Sequence, residues 1–272
     1  MINNTRTRRR SSAWPAFDKS ASHGGGTGIP QDSLNIFAAM DTPPTAARQT
    51  LINNAVVSLK AAGLWNMLDT LIVEAAATAQ AGLINWIQPA NVATAVNAPT
   101  FVADRGYTGD GATSYLNTNR AMGIGPNFSQ NNFHVGFWTL NDVSDSNAYD
   151  LGVLTGANTF RFNGRNATNN FAGNALATPA FGMAVADSIG HYMMCRDSAS
   201  TFEGYKNKVS IGTDTDASVA AFNSPYTILA NRVVQFSTRQ QAMTHAGAFF
   251  TAAQVTAFYD IMLVYMQAVG AA

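Results

Sequence analysis

Two glutamates stand in the whole chain, Glu74 and Glu203. Glycoside hydrolysis takes two carboxyl groups flanking the bond, about 5 Å or roughly 6.5–9.5 Å apart. Residues this distant in sequence, and in no shared motif, are not expected to form such a pair. The four histidines, His23, His134, His191 and His245, are scattered. None has an acidic or histidine partner at i+2 or i+4, and His134 and His191, in strand patterns, read as partly buried, hydrogen-bonded side chains. Cys195 is the sole cysteine, which excludes an intramolecular disulfide and a cysteine-type zinc site. In "HYMMCRD" it reads as a buried structural thiol. The glycine run "SHGGGTG" lacks the strand, helix and lysine of a phosphate cradle and reads as a linker. The chain is therefore expected not to be an enzyme.

Binding chemistry has more to work with. Asp142 and Asp145 in "NDVSDSN", and Asp214 and Asp216 in "GTDTDAS", have the oxygen-rich loop spacing of a calcium site. The same spacing suits polar turns, so no cofactor is expected, with Ca2+ at these four aspartates as the alternative. Sugar binding uses an aromatic platform fringed with amides. Trp138 and Tyr149, with Asn163 and Asn166 of "NGRNATNN", are the candidates for it. Near the N-terminus, Arg8, Arg9 and Arg10 precede Trp14 and Phe17. Basic charge beside two apolar pegs reads as an arm that anchors on an acidic surface or on nucleic acid.

Composition constrains the setting. The 272 residues carry no formal net charge, and charged residues make up 12%, roughly half the usual share. A surface weak in charge is poorly protected against association, which suits an assembled protein or one that meets neutral partners such as sugars. The best membrane candidate, Leu64 to Ile87, is broken by Asp69, Glu74, Gln80 and Asn85, so no membrane insertion is expected. No signal peptide is visible, and a soluble protein is expected.

These residues must be positioned by short strands. Residues 1–45 are rich in Gly and Pro and read as an arm. Leu51, Ile52, Ala55, Val56 and Leu59 then fall on one helical face, with Gly63 as the stop signal, within a helical segment over 46–67. Beyond it the pattern turns to period two. Strands are expected at 71–74, 100–104, 113–117, 132–140, 149–154, 159–162, 181–186, 191–196, 201–206, 208–212, 226–230 and 242–248. Many short strands without interleaved helices predict a sandwich. In "TFEGYKNKVSIGT" (201–213) Asn207 tolerates positive φ and marks a tight hairpin. A capping box at Thr251–Gln254 opens a last helix whose Val255, Phe258, Met262, Tyr265 and Val269 face the core.

Three segments together resemble the laminin-G-like branch of the concanavalin A-like lectin/glucanase jelly roll. They are "RGYTGDGATSYLNT" (105–118), "GYKNK" with "VSIGT" (204–213), and "PYTILANR" followed by "MTHAGAFFTAAQVTAFYD" (225–260). The usual Asn-Gly turn is here Asn207-Lys208, and the helix Glu is here Gln254. The resemblance implies a mainly β jelly roll over 68–272 that ends in a helix, with the 201–213 hairpin as an inner strand pair. The glucanases of that family carry Glu-x-Asp-x-Glu on one strand, which this chain lacks. The stretch "LKAAGLWNMLDTLIV" followed by "ADRGYTGDGATSYL" looks like the version found in phage and prophage proteins. That implies a virion component made in the host cytoplasm, with other virion proteins as partners through the arm and with copies of itself. A fibre or spike component that binds host surface glycan is expected. A capsid decoration protein, or nucleic-acid contact through the arginine-rich arm, is the alternative.

Overall fold

The computed structural model describes residues 28–121, 125–155, 159–221 and 223–272. Three helices are α1 (Gln31–Ala38), α2 (Ala46–Ala61) and α3 (Ala252–Val269). The strands begin with β1 (Leu68–Ile72), β2 (Thr94–Val96), β3 (Thr100–Val102), β4 (Gly106–Thr108), β5 (Tyr115–Ala121) and β6 (Phe133–Thr139). Next come β7 (Leu151–Val153), β8 (Phe160–Asn163), β9 (Asn170–Ala175), β10 (Phe181–Ala184), β11 (Gly190–Arg196) and β12 (Phe202–Lys206). The last are β13 (Val209–Asp214), β14 (Pro225–Ile228), β15 (Ala230–Asn231), β16 (Gln235–Phe236) and β17 (Gln240–Gly247).

These strands build two antiparallel sheets, as the sandwich expectation requires. An eight-stranded sheet runs β13-β12-β11-β6-β17-β4-β3, with β1 also paired to β17. A seven-stranded sheet runs β10-β9-β8-β7-β14-β5-β2, and β15-β16 form a separate small hairpin. The mainly β jelly-roll sandwich expected from the sequence is the fold observed. Strand β6, "FHVGFWT", shows how one sequence serves two cores. Phe133, Val135 and Phe137 enter the layer between the sheets, beside Phe160, Phe162, Phe171 and Phe181. Trp138, one step out of phase, enters the layer between this sheet and the helices, beside Met193, Met243, Phe258 and Met262. A strand buried on both faces reads as a continuous apolar run rather than an alternation.

Helix α3 follows its sequence signals closely. Thr251 and Gln254 form the capping box, and Gly270, at φ 78°, ends the helix in the left-handed conformation. Val255, Phe258, Met262 and Tyr265 are buried against the sheet, each worth about 1.5–3 kcal/mol for full burial. Helix α2 is capped by Thr45, whose hydroxyl accepts from Arg48 N at 3.3 Å, and buries Ile52, Ala55, Val56 and Leu59.

Three expectations need correction. Residues 31–38, placed in the arm, form α1, which lies against α2 with Ile36 fully buried and Ser33 donating to Asn53 at 3.1 Å. The 201–213 hairpin is not an inner pair, because β13 is the sheet edge. Its turn is as read: Asn207 (φ 47°) and Lys208 (φ 65°) are both left-handed, the geometry of a two-residue hairpin loop. Gly212 does not end the strand. It lies within β13, where an added Cβ would sit 3.2 Å from the Met183 side chain.

Candidate recognition face

The front of the eight-stranded sheet is closed. Trp138 stacks on Tyr259 of α3, with ring centroids 5.5 Å apart and planes 3° from parallel, and His191 lies 5.6 Å away. At 3% exposure Trp138 is core, not a sugar platform. Alternation along the strand shows which face it takes but not that a helix covers that face.

Three of the four histidines, scattered in sequence, meet here; His23 lies outside the described residues. His134, His191 and His245 stand on β6, β11 and β17, which are neighbours in the sheet, and all are buried. His191 Nε2 lies 2.8 Å from His245 Nε2, one donating and the other accepting, and the His134 and His245 rings are 5.1 Å apart. His245 stands opposite Gly136, where a Cβ would collide with its ring. His134 Nδ1 bonds the Ala248 carbonyl, while His134 Nε2 and the Nδ1 atoms of His191 and His245 have no partner among the described residues. Burial lowers the His134 imidazole to about 4 and, together with His134, the His191 imidazole to about 3. Burial and its two neighbours hold His245 far below the ordinary range. The trio is therefore neutral at pH 7 and packs beneath Phe250 and Phe258. Among the described residues no group of three His, Cys, Asp or Glu side chains is arranged to hold a metal ion.

The remaining sequence candidates are dispersed. Asn163 is buried, donating to the Asp145 carbonyl at 2.5 Å and accepting from Arg165 N at 3.0 Å, so it organises a loop and offers nothing to a sugar. Asn166 Oδ1 is occupied by the N–H groups of Thr168 and Asn170, both at 3.0 Å. Asp142 accepts from Arg165 at 2.7 Å and from Ser188 N at 2.8 Å; despite its partial burial, these donors pull its carboxyl below the usual range. Asp145 accepts from Asn147 N at 2.7 Å, and Asp214 from Asp216 N at 2.9 Å. Arg196 donates to the Asp216 carbonyl at 3.2 Å. An arginine thus stands beside each aspartate pair, which disfavours a second cation. Glu203 accepts from Tyr205 OH at 2.6 Å on the edge hairpin, whereas Glu74 is fully buried. Arg8, Arg9, Arg10, Trp14 and Phe17 lie outside the described residues.

Tyr149 leads to a different surface. The guanidinium of Arg161 sits 4.7 Å over its ring. Arg161 alternates with core-facing Phe160 and Phe162, so it projects from the outer face of the seven-stranded sheet. One register row crosses that face as Asn174, Arg161, Gly152, Thr227, Asn117 and Thr94. All six are polar or glycine. Arg161 Nε donates to Asn174 Oδ1 at 3.0 Å and Nη1 reaches Gln235 Oε1 at 3.5 Å.

The β15–β16 hairpin straps the middle of this row. Thr227 donates to the Ala230 carbonyl at 2.6 Å, and a Cβ at Gly152 would come within 2.7 Å of the Asn231 side chain. Asn231 Nδ2 donates to Gln235 Oε1 at 2.8 Å, while its buried Oδ1 has no partner among the described residues. At the strap's tip Arg232 (φ 55°) and Val233 (φ 49°) are left-handed, a costly state for a β-branched residue. Val233 and Val234 are 39% and 68% exposed. The strap's far end is pinned inside: Ser237 donates to Asp150 at 2.7 Å, and Asp150 pairs with fully buried Arg239 at 2.8 Å. A braced guanidinium, amides and a small apolar tip suit a hydroxyl-rich ligand that lies across the strands. Of the sequence candidates only Tyr149 belongs here. The signal for Arg161 and Asn174 was their place opposite phenylalanines in "FRF" and "NFAGNA".

No family model matches the chain, and no curated protein does. Solved structures share its fold. A sialidase of Trypanosoma rangeli in complex with 2,3-difluoro-KDN aligns with a TM-score of 0.51 and 10% identity over 80% of this chain. The same sialidase with 2,3-difluorosialic acid, a covalent intermediate, gives a TM-score of 0.50 and 11% identity over 81% of this chain. In both cases the chain spans 40% of the sialidase, and at these identities the likeness is one of fold. Domain 4 of the arabinanase AbnA from Geobacillus stearothermophilus, in complex with arabinotriose, aligns over 71% of this chain and 98% of that domain, with 13% identity and a TM-score of 0.40.

Proposed function

We propose that this chain is a non-catalytic recognition module that binds glycan across the outer face of its seven-stranded sheet. In this reading it serves as a self-associating surface component of a virion. The observation that carries the glycan reading is Arg161, held on the Tyr149 ring and braced by Asn174 and Gln235 at the foot of a strained strap. Guanidinium and amide groups fixed in advance bind hydroxyl-rich ligands without ordering flexible side chains on contact. The virion reading is supported by the resemblance of residues 59–73 and 103–116 to phage proteins, and self-association by the charge-poor composition.

A glycan array probed with the full chain and with Arg161→Ala tests the proposal. Selective binding by the parent and loss of roughly tenfold or more in the variant is expected. Binding that Arg161→Ala leaves unchanged would place the ligand elsewhere, and no binding to any glycan would remove the glycan reading.

A further inference from the structure

The seven-stranded sheet has the opposite charge sign from the rest of the described molecule. Residues 28–272 hold eleven basic and fifteen acidic side chains. None of the fifteen lies in β2, β5, β7, β8, β9, β10 or β14, or in the strap from Ala230 to Phe236. Those same segments hold three arginines, Arg120, Arg161 and Arg232. The carboxylates closest to them in sequence are engaged elsewhere. Asp150 pairs with Arg239 and Asp187 with Lys206, while Asp110 and Asp145 accept backbone N–H groups of their own turns.

Of the three arginines, Arg120 is buried and donates to Gln88, and Arg232 stands exposed at the tip of the strap. Arg161 is the one on the register row, half-buried, and among the described residues it makes no ion pair. Its donors are unequally spent. The Tyr149 ring backs one face of the guanidinium, and Nε is taken by Asn174 Oδ1 at 3.0 Å. Nη1 reaches Gln235 Oε1 only at 3.5 Å, an oxygen that Asn231 already occupies at 2.8 Å. Nη2 has no hydrogen-bond partner among the described residues. The Nη1–Nη2 edge is therefore the part left for a ligand.

That edge offers two parallel N–H groups, which match the two oxygens of a carboxylate. A neutral sugar hydroxyl could accept one of these bonds but would leave the charge unbalanced in a partly desolvated site. A carboxylate accepts both and supplies the missing opposite charge. Arg232 adds positive potential over the same face.

On the premise that this face binds glycan, we infer that its ligand is an acidic saccharide, whose carboxylate docks end-on against Nη1 and Nη2 of Arg161. The ring stack and the Asn174 bond hold the guanidinium in place before the ligand arrives, so little side-chain freedom is lost on binding.

Calorimetric titration of the full chain with matched saccharides tests this. The pairs are oligogalacturonate, oligoglucuronate and sialyllactose, each as the free acid and as its methyl ester. Esterification removes the charge and keeps the ring and its hydroxyls. At least one acid should bind about tenfold or more tightly than its ester, and that preference should shrink as salt rises from about 0.01 to about 1 M. Arg161→Gln should bring acid and ester to equal affinity. Arg161→Lys, which keeps the charge and loses the fork, should retain part of the preference. Equal binding of acid and ester by the parent, weakened alike by Arg161→Gln, overturns the acidic ligand and leaves the glycan site standing. A preference that survives Arg161→Gln overturns it as well, by placing the carboxylate on another cation. Binding to none of the pairs while a neutral glycan binds overturns the acidic ligand alone, and binding to no glycan at all removes both readings.

Discussion

Glu74 offers a sharp test of how the interior is built. The residue is fully buried between the sheets beside Tyr107, and among the described residues neither carboxyl oxygen has a partner at good hydrogen-bond geometry. Burial pushes its carboxyl from 4.5 up to about 8, against a smaller pull from neighbouring Thr244. The folded state thus keeps a proton that the unfolded chain gives up above pH 4.5. The stability this contributes is fully present below pH 4.5 and is lost as pH rises through about 8. Each pH unit in that window removes about 1.4 kcal/mol, so about 3 kcal/mol is gone by pH 7. Glu74→Gln keeps the shape and abolishes the titration. Its amide stays poorly paired and costs about 1–3 kcal/mol, so the absolute change at one pH is ambiguous and the slope is the observable. Urea unfolding of both proteins at half-unit steps from pH 5 to 7.5 isolates it, since every other titrating group cancels in the difference. The variant should gain about 3 kcal/mol on the parent across that range. Parallel pH profiles would refute the claim that a neutral carboxyl is held in the interior.

Three further outcomes follow from the same structure. The buried histidines work in the opposite direction: their folded values lie below the ordinary 6.5, so their contribution is present above that pH and lost as pH falls toward 4 and 3. Tryptophan emission should therefore report the exposure of Trp138 near pH 4, and replacing His191 and His245 together with Phe should move that transition to lower pH. Asp150→Asn strands the fully buried Arg239 and should cost about 3–5 kcal/mol by chemical denaturation. Val233→Asn relieves a left-handed β-branched residue at an exposed tip and should raise stability by about 1 kcal/mol, read from the denaturation midpoint.

Local signals carried well into three dimensions where the cause was local. The capping box of α3, the stop after α2 and the left-handed pair at Asn207-Lys208 are backbone requirements written in single residues. Strand β9 is not legible in the sequence because Asn166 to Asn170 look like an amide loop, and its inward residue Phe171 is followed by small side chains with little periodicity. Strands β2 and β4, three residues each, are too short to show alternation. The histidine trio was illegible because its members meet only when β6, β11 and β17 pair. Trp138 and Asn163 failed as sugar contacts because a strand pattern does not reveal what packs over each face. The row from Asn174 to Thr94 depends on the register of six strands, which no single segment encodes.

The central claim is that the outer face of the seven-stranded sheet is where this protein meets its ligand. Hydrogen exchange by mass spectrometry tests it most directly, comparing the full chain alone with the chain saturated by the strongest binder from the glycan array. The account predicts added protection in β8, β9 and the β15–β16 strap, with the α3-covered sheet unchanged. Protection confined to the helices, or to the edge strand β13, would contradict it.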